Sequence, residues 1–288
     1  MRRSSLLFGL DNCPTESFAA FLRDVKVPGD DLLSIDASLQ ARFFQKNPDG
    51  SPKERWELDK VEIDCPIKQI KEHLGTCGFM NKTQPSGKIY GYAAWPGALV
   101  TRAVVRLNDL VNAWDDGVRW EQTIVFGGKR PLQSDKESFT QCCNSLGLGN
   151  DRHHEFVPIW DGFWPVNELE MMRFIWAAIA MPNELRAIPV IFVDAPMKQS
   201  AKEGSPLVRP TTEDTAKEWL EGKPNPGSIL LSSGAPYGMA MDEAFWMLLE
   251  PHGFTVETFG HATPDLPIEN LMREVAGAVN RIRRARKA

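Results

Sequence analysis

Three apolar runs without polar alternation, Ile-Val-Phe at 124–126, Val-Ile-Phe-Val at 190–193 and Ile-Leu-Leu at 229–231, are separated by segments of helical spacing. A strand with one wet face alternates apolar and polar residues, so these runs require a sheet covered on both sides. The segments between them are each long enough for a helix, which predicts parallel strands joined by right-handed crossovers. The expected fold class is α/β, a Rossmann-like three-layer sandwich with a mostly parallel sheet of about five strands and an N-terminal helical extension.

Residues 88–93 and 254–258 supply two further short strands. After the first, Pro96 and Gly97 are expected to stop regular pairing in a loop over 94–98. Val100, Ala103, Val104, Leu107, Leu110, Val111 and Trp114 then recur at helical spacing until Gly117 ends the run. A helix beginning at 167–170 is closed by Pro182, and others are expected over 212–220, 239–249 and 268–284. The first 85 residues carry short helical patterns at 18–22, 32–44 and 67–74 between breakers such as Pro28, Gly29, Asn47, Pro48 and Gly50. That part reads as a helical extension or cap on an α/β domain of residues 86–288.

With 42% hydrophobic and 25% charged residues the chain falls in the globular range, which excludes a disordered polymer. A net charge of -5 argues against a broad nucleic-acid surface. The one strongly basic stretch, Arg281, Arg283, Arg284, Arg286 and Lys287, reads as a solvated helix end. Five cysteines in no tight spacing fit a reducing compartment. The start of the chain shows neither a signal peptide nor a membrane helix, so a cytoplasmic protein without a membrane anchor is expected.

Ligands of open parallel sheets sit beyond the carboxyl ends of the strands, where the strand order reverses. The run Gln122-Thr-Ile-Val-Phe-Gly-Gly-Lys-Arg130 ends there in two glycines and two cations. Gly127 and Gly128 would let backbone amides approach an anion, and Lys129 and Arg130 would favour its charge. The spacing is neither G-x-G-x-x-G nor the phosphate loop G-x-x-x-x-G-K-[ST]. Arg209-Pro-Thr-Thr-Glu-Asp-Thr215 places a cation, Thr211, Thr212 and Glu213 at a helix start, where the hydroxyls and acids also fit a capping box. Glu168 and Glu170 open a helix, where the dipole favours carboxylates. Ser232, Ser233 and Tyr237 follow the fourth strand, outside any G-x-S-x-G elbow. Trp95 is placed to stack on a ligand ring, and His261 stands beyond the fifth strand for acid-base work. His153-His154 with Glu155 lacks a third ligand at zinc spacing, so no metal is expected. Alanine at Arg130 and valine at Gly128 are expected to weaken a ligand without unfolding the chain.

The order of these motifs resembles the bacterial proteins with a DUF218 domain, the group that includes SanA, ElyC and the YdcF proteins. The resemblance spans residues 88–260. It is carried by Arg106-Leu107, Phe126-Gly127-Gly128, Glu168-Leu-Glu170-Met171, the threonine-containing turn 209–215, and Leu231-Ser232-Ser233 followed by Tyr237-Gly238-Met239. It implies a small-molecule ligand, S-adenosylmethionine or a nucleotide, held by Gly127, Gly128, Lys129, Arg130, Glu170, Arg209, Thr211, Thr212, Glu213, Ser232, Ser233 and Tyr237. The histidine and arginine usual after the fourth strand are missing, the sequence reading Gly234-Ala-Pro-Tyr-Gly-Met-Ala240. Two readings stand at this point: an enzyme or binder of a nucleotide-like or anionic small molecule, or a non-catalytic protein that keeps the fold and binds a protein partner.

Overall fold

The computed structural model describes residues 6–48, 52–147, 165–199 and 207–287. Among them the order of elements is α1 (Glu16–Asp24), α2 (Leu32–Phe43), α3 (Ile67–Thr76), β1 (Ile89–Pro96), α4 (Val100–Asp115), β2 (Arg119–Gly128), α5 (Phe139–Ser145), α6 (Glu168–Ala178), α7 (Asn183–Arg186), β3 (Val190–Ala195), α8 (Thr212–Glu221), β4 (Ser228–Ser232), α9 (Tyr237–Leu249), β5 (Thr255–Phe259) and α10 (Ile268–Lys287).

Residues Gln84–Ser233 and Phe245–Gly260 make one compact unit. Its five strands are all parallel and lie in the order β3-β2-β1-β4-β5. Ala93, Trp95, Val125 and Leu230 face a core shared with Leu107 and Leu110 of α4 and Met171 and Ile175 of α6. The alternate residues Tyr92 and Phe126 face the other way, against Trp219 of α8; Phe126 also meets Phe245 of α9. Helices therefore cover both faces, which is why the buried stretches 124–126 of β2 and 229–231 of β4 carry no polar alternation. Burial of each such side chain contributes on the order of 1.5–3 kcal/mol.

The chain runs outward from β1 to β3 with α4 and α6 on one face, then returns to the far side of β1 with α8 on the other. Crossovers of a single hand require that exchange of faces. The strand order reverses between β1 and β4 as a result.

Two segments differ from the sequence expectation. Residues 94–96 are strand, not loop: Ala94, Trp95 and Pro96 stand opposite Ile124, Val125 and Phe126. Proline is tolerated there because it is the last strand residue and withholds only one ladder donor. Gly127 and Gly128, whose sequence context resembles a glycine-rich strand-to-helix turn, are likewise strand residues, opposite Asp194 and Ala195.

The second unit comprises Met1–Thr83, Gly234–Ala244 and His261–Ala288, so α10 and the start of α9 belong with the N-terminal helices. Phe8, Phe18, Phe21, Ile35, Leu39 and Leu74 share its core with Val275, Val279 and Ile282 of α10. The basic end of α10 is not simply solvated, as its composition led one to expect. Arg286 donates to the carbonyls of Phe8 and Gly9 and to Asn12, and Arg283 pairs with the buried Asp36. These cations bind the N-terminal segment to the helix.

Candidate functional site

At the reversal point the carboxyl ends of β1 and β4 are joined by Arg106, which projects from α4 and is 3% exposed. Its Nη1 donates to the carbonyls of Pro96 and Gly97 at 3.0 and 2.9 Å, and its Nη2 to Ser233 Oγ at 3.2 Å. Ser232 Oγ in turn donates to the Arg106 carbonyl at 2.8 Å. A planar guanidinium with forked donors can serve acceptors on two strands at once, which a lysine cannot. Ser232 and Ser233 are thus both buried and both engaged with Arg106.

Beside this clamp lies a second buried charge cluster. Arg130, just past β2, makes two 2.7 Å hydrogen bonds to Glu137, which is fully buried, and a 3.2 Å contact to Glu168. The Gln133 amide also donates to Glu137 at 2.9 Å. Burial works against the Arg130 charge, but Glu137 and Glu168 outweigh it and hold its pKa above the ordinary arginine value. Glu168 is the first residue of α6, and its amide donates to the Arg130 carbonyl at 3.0 Å. Burial raises its carboxyl pKa, opposed by Arg130 and, less strongly, by the charge of Arg209. Its carboxyl group lies against Gly97, where a Cβ would stand 2.7 Å from the Glu168 carboxyl carbon. Gly97 therefore leaves the room that the Glu168 carboxyl occupies at the end of β1.

The two glycines of the motif serve packing. A Cβ on Gly127 would come within 2.7 Å of Leu169 Cδ1 and 3.1 Å of its Cα, and one on Gly128 within 2.6 Å of the Pro210 ring. Pro210 against Gly128 brings Arg209 and the start of α8 to the same edge as the ends of β1 and β2. Lys129 reaches Asp194 at 3.4 Å in a half-exposed pair.

Thr211 caps α8 through a reciprocal box with Asp214, and Asp214 also pairs with Lys198 at 2.6 Å. Thr212, the first helical residue, gives its carbonyl to the Thr215 hydroxyl, and Glu213 lies in the same first turn. Glu170 accepts from the Val166 amide and the Asn167 side chain, closing the start of α6. Tyr237 is in the other unit, buried under Arg55, whose guanidinium is 4.8 Å above the ring and 2.8 Å from Glu274. His261 is in that unit too, where its carbonyl accepts from the Ala235 amide.

Three expectations change on this geometry. Trp95 is fully buried and donates to the Ala103 carbonyl at 2.9 Å, so it is a core residue and not a stacking platform. Arg130 is committed to Glu137 and Glu168, so removing it leaves a buried carboxylate and cannot be structurally silent. A side chain at Gly128 collides with Pro210 before it could obstruct a ligand. The pair His153-His154, with Glu155, Trp160 and Trp164, lies outside the described residues.

Sequence reasoning singled out neither Arg106 nor Glu137 as a site residue, and it assigned Glu168 to the helix dipole. The signal for Arg106 was present: it interrupts the apolar stripe Ala103, Leu107, Leu110 of α4 with a cation. Glu137 gives none, since its partner is identified only once the segment after β2 folds back.

A groove of about 440 Å³ lies elsewhere in this unit, on the face that carries Tyr92, Gln122, Ile191 and Val193, beside Trp219. Of the candidates that sequence spacing puts at strand ends, Tyr92 and Asp194 line it, and none of the residues implied by the family resemblance does. Among the described residues no group of three or more His, Cys, Asp or Glu could hold a metal ion, and no helix is long and apolar enough to cross a membrane. The five cysteines are unbridged. No protein-family model matches the chain, and no curated protein or solved structure shows significant similarity to it.

Proposed function

We propose that this protein is an enzyme or binding protein for a nucleotide-like or anionic small molecule, taken up at the carboxyl ends of β1 and β4. The observation that carries this reading is the gathering of Arg106, Arg130 and Arg209 at the edge where the strand order reverses. Doubly wound sheets open a crevice there, and guanidinium groups in low dielectric favour a phosphate or carboxylate. Arg106 and Arg130 shape the floor through their protein partners, while Arg209, more exposed and ahead of α8, is the charged contact for the ligand. The resemblance to DUF218 proteins supports the same site and names S-adenosylmethionine or a nucleotide as the ligand. We place the protein in the cytoplasm on its five unbridged cysteines.

Calorimetric titration with cyclic AMP, AMP and S-adenosylmethionine tests the reading. Saturable binding of one of them, weakened about tenfold or more by Arg209→Ala, is the expected result. Absence of binding by all three overturns it and leaves the protein-partner reading in front. Binding that Arg209→Ala does not change places the ligand elsewhere.

A further inference from the structure

Glu168 shares the guanidinium of Arg130 with Glu137. Arg130 spends both of its terminal nitrogens on Glu137 in a two-point pair and gives Glu168 a single longer contact at 3.2 Å. The charged groups that face Glu168 are Arg130 from the end of β2, Glu137 from the segment before α5 and Arg209 from the segment before α8. Arg106 of α4 is bound to the carbonyl of Gly97, the residue on which the Glu168 carboxyl rests. An anion arriving at this edge brings a further negative charge beside two buried carboxylates. It also competes for Arg209, a second cation that favours the ionised form of Glu168. Like charges in low dielectric are relieved most cheaply by neutralising one of them. Glu137 is fixed by the two-point pair, whereas Glu168 is 14% exposed, so a solvent proton can reach it.

We propose that an anion bound at the carboxyl ends of β1 and β4 is taken up together with one proton from solvent, which resides on Glu168. The proton adds to a Glu168 carboxylate oxygen to give the neutral acid, whose O–H then donates to an oxygen of the anion. A carboxyl held neutral in this way is a donor where a carboxylate would repel. This proposal rests on the functional reading above and adds to it that affinity depends on pH.

The test is titration of wild-type protein with cyclic AMP, whose phosphodiester does not titrate near neutrality, in two buffers of different ionisation enthalpy. Wild type is expected to take up close to one proton per ligand at a pH where free Glu168 is ionised. Its affinity is expected to fall by about tenfold per pH unit above that point. Glu168→Gln keeps an acceptor for Arg130 and is expected to bind with no proton uptake and a flat pH profile. In wild-type protein, where no variant has to fold, infrared difference spectroscopy is expected to show the carbonyl stretch of a protonated carboxyl appearing on binding. Binding without proton uptake, or the same uptake in Glu168→Gln, overturns the coupling while leaving the site intact. Absence of binding by wild type overturns the functional reading and the coupling with it.

Discussion

The guanidinium of Arg106 and the hydroxyl of Ser233 meet 3.2 Å apart, a helix residue and the residue following β4 held together at the point where the strand order reverses. Because the same guanidinium also bonds the carbonyls of Pro96 and Gly97, it ties the end of β1 to the end of β4 where no ladder hydrogen bond does so. Arg106→Leu leaves three acceptors without their donor and is expected to lower unfolding free energy by about 3–5 kcal/mol in urea denaturation. Ser233→Ala is expected to cost about 1 kcal/mol and Arg106→Lys to recover only part of the loss, since an ammonium cannot span the same acceptors. Equal stabilities for Arg106→Leu and wild type would refute the clamp.

Arg130 and Glu137 form the pair whose disruption leaves a buried charge. Arg130→Met is expected to destabilise by about 3–5 kcal/mol. Arg130→Met combined with Glu137→Leu is expected to recover part of that loss, because the strongest pair is removed whole while Glu168 and the Gln133 amide still lose a partner. A double-mutant cycle by chemical denaturation measures the coupling. If the double variant is as unstable as the sum of the singles, the two residues do not act as a pair.

The Gly127-Gly128 pair is expected to be required for packing whether or not a ligand is present. Gly127→Ala meets Leu169 and Gly128→Ala meets the Pro210 ring, and overpacking of this kind costs about 1–3 kcal/mol. Thermal denaturation without ligand is the check. Full stability in both variants, with binding lost, would return these glycines to a direct role at the ligand.

Tyr90 donates to Glu257 at 2.6 Å, and burial, reinforced by that bond, pushes its pKa up to about 12. An unfolded tyrosine titrates near about 10. The folded state therefore holds the proton more tightly, and this contribution to stability is complete below about pH 10 and disappears as pH rises through about 12. With only three tyrosines in the chain, tyrosinate absorbance is expected to show a late component that Tyr90→Phe diminishes. Complete titration of wild-type protein by about pH 10.5 while still folded would contradict the Tyr90–Glu257 contact.

Local order was legible in the sequence because its causes lie within a few residues of one another. The unalternated runs at 124–126 and 229–231 mark strands covered on both faces, within β2 and β4, whereas the run at 190–193 opens the edge strand β3, where Ile191 stays exposed. Thr211 with Asp214, and Asn167 ahead of Glu170, are caps written in adjacent residues, and the helices begin where they stand. The expectation of a covered, parallel α/β sheet needed no more than these spacings.

What only the tertiary structure decided is which distant groups meet. Strand order depends on the side to which each crossover returns, and spacing does not encode that choice. The burial of Arg106 and Trp95, the commitment of Arg130 to Glu137, and the contact of Gly128 with Pro210 all arise where separate elements close on each other. A cation beside glycines reads in sequence as a ligand contact, because charge is visible there and its partner is not. The same limit applies to α10, whose run of arginines resembles a solvated end until Arg283 finds Asp36 and Arg286 finds the carbonyls of Phe8 and Gly9. A buried charge is defined by its partner, and partners more than a few residues apart are chosen by packing.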